Sequence, residues 1–262
     1  MKKLNLTSSK LNKVNLILIH GWGFNSKIWN TLIESKLLNM HFKIYTIDLP
    51  GFGNNSQILP MTLNHIAKLF LPHIPKKSIL LGWSMGGLVT NTIGLNFPKK
   101  IIGIINISSS PCFIKRKNWP GITKESFFYF YNQFKKDFKN TIYNFLLLNA
   151  KNVNNIKIKS IKKNILRKPI PTITALKKNL KIIISSDLRF KIKRLNIPML
   201  RIYGNLDKLV PKEICSILDK MWPNTQSIII NNSAHIPFIS HLQEFLTIII
   251  NFKKYLNSKK ML

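Results

Sequence analysis

Six short runs of apolar, largely β-branched residues recur along the chain: 15–20 (NLILIH), 42–48 (FKIYTID), 78–83 (SILLGW), 101–108 (IIGIINIS), 198–204 (PMLRIYG) and 226–231 (QSIIIN). They are continuous rather than alternating, the pattern expected of strands covered on both faces. Helix-compatible stretches lie between several of them, at 62–72, 85–97, 211–221 and 240–256. Strand and helix in alternation predict an α/β protein with a mostly parallel central sheet flanked by helices. The segment KLNLTSS at 3–9 is expected to add an antiparallel edge strand.

The alternation breaks between 112 and 187. Aromatic residues and leucines recur at helical spacing over 125–149, more basic helix-compatible sequence follows, and Pro169 and Pro171 interrupt it. Strand-like sequence returns at 197. The division expected is a core made of 1–111 and 188–262, with 112–187 as a helical insertion long enough to form a lid.

A chain of 262 residues with 45% hydrophobic residues suits one large domain carrying such an insertion. No apolar stretch reaches the roughly 18 residues of a membrane span. The basic start lacks a clean signal-peptide apolar region, so a cytoplasmic protein without membrane association is expected. Two cysteines, Cys112 and Cys215, provide neither a disulfide framework nor a metal motif and read as small buried hydrophobes. No metal or organic cofactor is expected, and the expected state is a monomer.

The net charge of +32 changes the picture less than its size suggests. Arginine stands only at 116, 167, 189, 194 and 201; the excess is lysine, and lysine, asparagine and isoleucine are abundant in strands and loops alike. That is the mark of nucleotide bias towards A and T. No nucleic-acid reading motif accompanies it, so no nucleic-acid partner is expected. An acidic protein partner would still feel the field.

Chemistry enters at Gly82-Trp83-Ser84-Met85-Gly86, which matches G-x-S-x-G. A sharp turn from strand into helix holds the serine in strained dihedrals, and a Cβ two residues to either side would collide with its neighbours. The Met85 N–H then stands at a helix N-terminus, where it can donate to an oxyanion. Serine needs a base, and of the six histidines His235 follows the last predicted strand, where sites form in open α/β sheets. His241 lies in or beside the final helix. His41, His65 and His73 lie on or near helices, and His20 reads as a brace for its own loop. Asp207, directly after the strand at 198–204, is the acid, giving the order Ser84, Asp207, His235. Asp187 is the runner-up, with a bond to backbone or to Arg189 as its more ordinary role, and Asp48 is assigned to organising its own turn. The loop HGWG (20–23) is expected to supply the second oxyanion donor, the Trp22 N–H, with its indole as a pocket wall.

Together LIHGWGFNSKIW, IDLPGFGNNS, LGWSMGGLV, YGNLDKLVP and AHIPFISHLQEF resemble the α/β-hydrolases. Within that superfamily HGWG, LPGFG, GWSMGG, SSPCF, WPGI, LDKMWP and AHIPFISH are similar to the BioH family of pimeloyl-[acyl-carrier protein] methyl ester esterases, from about residue 14 to 255. The resemblance implies a Ser-His-Asp acyl-enzyme mechanism that frees the pimeloyl carboxylate and methanol during biotin synthesis. It implies an acyl carrier protein as partner and an acyl pocket lined by Phe145, Leu146, Leu147, Leu148 and Asn149, a segment whose plainer reading is the core face of a helix. Insertion cations such as Lys135, Lys136, Lys139, Lys151, Lys157, Lys159, Lys162, Lys163 and Arg167 would then steer the acidic carrier, with less geometric selectivity than arginines. A broader carboxylesterase, a carbon–carbon bond hydrolase and a non-catalytic basic binding module remain alternatives that the triad alone does not separate.

Overall fold

The computed structural model describes residues 13–151 and 153–262. The edge strand expected at 3–9 lies outside them. Six strands form one sheet: β1 (Val14–Ile19), β2 (Phe42–Ile47), β3 (Ser78–Trp83), β4 (Ile101–Ile107), β5 (Met199–Gly204) and β6 (Gln226–Ile230). Every pairing is parallel, in the order β2-β1-β3-β4-β5-β6. The central strands β3, β4 and β5 are buried at every position, whereas the edge strands β2 and β6 are partly open. This is the physical origin of the continuous apolar runs: helices cover both faces, so no face is left for polar residues.

The chain steps from β1 outward to β2, then returns across β1 to β3. The reversal splays the loops that follow β1 and β3 and opens a crevice at the carboxyl ends of the strands. Helices α1 (Lys36–His41), α2 (Leu63–Phe70), α3 (Met85–Asn96), α8 (Glu213–Met221) and α9 (Leu242–Ser258) serve the sheet. Between β4 and β5 stand α4 (Lys124–Lys136), α5 (Phe138–Asn149), α6 (Asn155–Leu166) and α7 (Ile173–Ser185).

The helical pattern over 125–149 is two helices. Asp137 ends α4 and caps α5, its carboxylate accepting the Asn140 N–H at 3.0 Å. Thr123, Asn154 and Thr172 cap the other three inserted helices in the same way. No helix among the described residues is long and apolar enough to cross a membrane. Cys112 and Cys215 are buried and unbridged.

Candidate active site

Strand β3 delivers Ser84 to the crevice on a backbone that only strain permits: φ is 53° and ψ is −119°. A non-glycine residue there costs about 1–3 kcal/mol and persists only where its surroundings over-determine it. Here they do. The Ser84 N–H donates to the Ile107 carbonyl at 2.9 Å, and its own carbonyl accepts from the Gly87 N–H at 2.9 Å and the Ser109 hydroxyl at 2.7 Å. The flanking glycines are required for close approach. A Cβ on Gly82 would lie 2.5 Å from the Gly86 carbonyl, and one on Gly86 would lie 2.2 Å from the Ile19 carbonyl oxygen at the end of β1. The Met85 N–H opens α3 and so has no acceptor within its own helix.

Asp207 follows β5 and His235 follows β6. The Asp207 carboxylate accepts the Leu209 N–H at 2.8 Å, the Val210 N–H at 3.0 Å and the His235 Nδ1–H at 2.8 Å. Both side chains are buried. A proton fixed on Nδ1 leaves Nε2 of the neutral ring as the basic nitrogen. The Trp83 indole, beside Ser84 in sequence, donates to the His235 carbonyl at 2.9 Å, and the rings of Trp83 and Phe145 flank the imidazole.

Ser84 and His235 open into the same cavity, about 100 Å³ in volume. The Ser84 hydroxyl makes no hydrogen bond among the described residues; nucleophile-to-base bonds are commonly long until substrate binds. Trp22 and Trp83 wall the core side, and Phe113, Ile122, Phe127, Phe130, Phe145 and Ile183 wall the opposite side. The Trp22 indole also donates to the Leu176 carbonyl of α7 at 3.0 Å, so it is a strut as well as a wall.

Of the expected segment 145–149, the cavity takes Phe145 alone. Leu146 is buried in the core, Leu147 and Leu148 are exposed, and the Asn149 side chain donates back to the Phe145 carbonyl. Successive helical residues turn about 100°, so five in a row cannot share one wall. Much of the wall comes instead from α4, where Phe127 and Phe130 stand three residues apart and line the cavity, with Phe134 four residues further on packed behind Phe130. That spacing was visible in the sequence; its destination was not.

The other acids and histidines have other partners. Asp48 accepts the N–H groups of Ser26 and Asn54 and organises its turn. His20 donates from Nδ1 to the Gly21 carbonyl and accepts the Leu49 N–H at Nε2, both satisfied by one neutral tautomer. Burial pushes its pKa down against the opposing pull of Asp48. Asp187 pairs with Arg189 at 2.6 Å. His241 precedes α9, with its Nδ1 at 2.8 Å from the Ser240 hydroxyl, and neither it nor His41, His65 or His73 lines the cavity.

Residues 14–242 match the alpha/beta hydrolase fold family. The pimeloyl-[acyl-carrier protein] methyl ester esterase of Yersinia enterocolitica serotype O:8 is 36% identical over 260 residues, covering 98% of this chain and 100% of that protein. The protein of the same name from Yersinia pseudotuberculosis serotype IB is 38% identical over 254 residues, covering 96% of this chain and 98% of that one. The one from Hamiltonella defensa is 38% identical over 258 residues, covering 97% and 99%. Among solved structures, an esterase from Exiguobacterium antarcticum superposes with a TM-score of 0.81 at 18% identity, covering 93% of each chain. A bromoperoxidase from Bacillus anthracis gives 0.81 at 20% identity, covering 93% of this chain and 92% of that one. At such identities these two likenesses speak to the fold alone.

Proposed function

The chain belongs to the alpha/beta hydrolase fold family, and from that premise we propose that it is a serine carboxylesterase that hydrolyses the methyl ester of pimeloyl-[acyl-carrier protein], releasing methanol and the free ω-carboxylate. The substrate comes from the names of full-length relatives at 36–38% identity. The observation that carries the chemistry is the Asp207–His235 hydrogen bond at the wall of the cavity into which Ser84 opens.

In this reading His235 Nε2 takes the Ser84 proton as the serine oxygen attacks the ester carbonyl. Asp207 holds the ring in its tautomer and stabilises the imidazolium. The N–H groups of Trp22 and Met85 receive the oxyanion, each contributing about 3–4 kcal/mol to the transition state. His235 then protonates the departing methoxide, leaving the acyl group on Ser84. Water deprotonated by the same nitrogen attacks that ester and releases the acid. Base, acid and donors all come from one chain, so the cycle calls for neither a cofactor nor a second subunit, and the reading places a monomer in the cytoplasm.

The aromatic wall suits a neutral aliphatic ester. Residues 112–187 act as the lid, with Phe130 and Phe145 over the acyl chain. On its outer side Lys159, Lys162, Lys163 and Arg167 line an open groove of about 420 Å³ with Leu166. A groove of one sign suits an acidic carrier and makes its association depend on salt. The test is hydrolysis of the carrier-linked methyl ester, with Ser84→Ala as control, together with complementation of a biotin-requiring strain lacking this esterase. Retained carrier-ester cleavage by Ser84→Ala would reject the nucleophile; rapid cleavage of small esters with none of the carrier-linked one would favour a broader carboxylesterase, which a cavity lined among the described residues by no titratable side chain other than His235 also allows.

A further inference from the structure

The rim of the cavity carries a basic turn that ester hydrolysis does not use. Residues 113–122 fold back on themselves: the Ile122 N–H donates to the Phe113 carbonyl at 2.8 Å and the Lys115 N–H to the Ile122 carbonyl at 2.9 Å, while Arg116 and Trp119 exchange backbone bonds at 3.1 and 3.0 Å. Phe113 and Ile122, at the base of the turn, line the cavity; Lys115, Arg116 and Lys117, at its tip, are exposed. The turn is rigid. Trp119 is buried with its indole donating to the Cys112 carbonyl at 2.7 Å, and a Cβ on Gly121 would lie 2.5 Å from the Phe113 carbonyl oxygen. Helix α4 starts just beyond, and its Ser126 is both exposed and part of the cavity lining, which places the mouth here.

Charge at this rim is unbalanced in a specific way. Asp187 faces two guanidinium groups, but its oxygens are committed to Arg189, which approaches at 2.6 and 2.9 Å. Arg116 stands 3.9 Å away, with its Nε turned to the Cys112 sulfur at 3.5 Å. Its terminal nitrogens have no close acceptor among the described residues, on a side chain 46% exposed. A half-held arginine with spare donors beside two lysines is suited to bind a tetrahedral oxyanion. Lys124 adds to the field, and Glu125 is the acid on the same helical turn.

A cavity of about 100 Å³ cannot hold the arm that carries an acyl chain on a carrier protein. The arm must leave by the mouth, and its phosphodiester must lie outside. We propose that Arg116, with Lys115 and Lys117, forms a phosphate subsite at the rim that takes the phosphodiester of that arm. This rests on the esterase reading above, and it assigns the turn a ligand distinct from the carrier's own carboxylates, which face the α6 groove.

The test compares two inhibitors of small methyl ester hydrolysis, an S-acylpantetheine 4′-phosphate and the same compound without phosphate. In the wild type the phosphate is expected to improve inhibition about tenfold, the size of one or two charge-assisted hydrogen bonds. Lys115→Gln/Arg116→Gln/Lys117→Gln should bring the ratio of the two constants to about one, and Arg116→Lys, which keeps charge but loses the fork, should give an intermediate ratio. The ratio is internal to each protein, so partial loss of folded enzyme does not affect it. Equal inhibition by the two compounds in the wild type overturns the proposal. So does an unchanged ratio in the triple variant, even if turnover of carrier-linked substrate falls, since the anion read would then be a carboxylate of the carrier. Failure of the esterase reading is separate: small esters would be cleaved while the carrier-linked methyl ester remained intact.

Discussion

The two walls of the cavity are built by different means. The sheet side is fixed by backbone: a strained Ser84 held by three hydrogen bonds, glycines in contact with β1, and an Asp207 carboxylate saturated by two N–H groups and an imidazole. The inserted side is shaped at the cavity by side chains, chiefly phenylalanines packed ring to ring at centroid distances of 5.1–5.8 Å, while side-chain hydrogen bonds through Trp22, Asn25 and Asn179 tie its later helices to the core loops. Backbone geometry gives no latitude to a reacting atom. Packed rings give shape and tolerate substitution, which suits recognition rather than bond breaking.

Substitutions on the two sides should therefore separate in kind. The largest expected effect is Ser84→Ala, a loss in kcat of about 10⁵–10⁶ with folding and carrier binding kept. Asp207→Asn should cost about 10⁴ in kcat, because the amide favours the wrong imidazole tautomer. Either variant retaining wild-type turnover in a steady-state assay would break the comparison. Phe145→Ala on the inserted side should instead act mainly through KM, raising it about tenfold for the pimeloyl ester with kcat lowered less; an equal fall in kcat and kcat/KM would show that this wall also shapes the transition state.

Smaller effects sharpen the contrast. Raising salt from 50 to 500 mM should weaken kcat/KM for the carrier-linked ester several-fold and barely alter that for a small methyl ester. His20 tests the rigidity of the sheet side. Burial holds its pKa below the ordinary 6.5, so the unfolded chain takes up a proton that the folded chain resists. Stability is then full above that value and declines as pH falls below it. Thermal melts between pH 7 and 5 should show this decline, and His20→Gln should flatten it.

Strand positions were legible because burial on both faces leaves a plain signature, and all six predicted runs fall on β1–β6 within a residue or two. Asp207 and His235 were legible because strand ends that carry an acid or a histidine are few in a chain with nine acidic residues and six histidines. Periodicity, however, reports which face of a helix is buried and not what it is buried against. It marked Phe127 and Phe130 as apolar without sending them to the cavity, and it could not separate Phe145 from Leu146, which face a pocket and a core respectively. The Ser109 tie to the Ser84 carbonyl joins neighbouring strands and leaves no local trace. The break at Asp137 did leave one, a capping residue within a helical run, which the surrounding aromatics concealed.

The Trp22 indole, bonded to the Leu176 carbonyl, connects the loop after β1 to α7 through a single ring. An outward swing of that helix would pull on the segment bearing the Trp22 amide. On the mechanism proposed above, gating and reactivity share one mechanical linkage, and neither can be retuned by evolution or by design without disturbing the other.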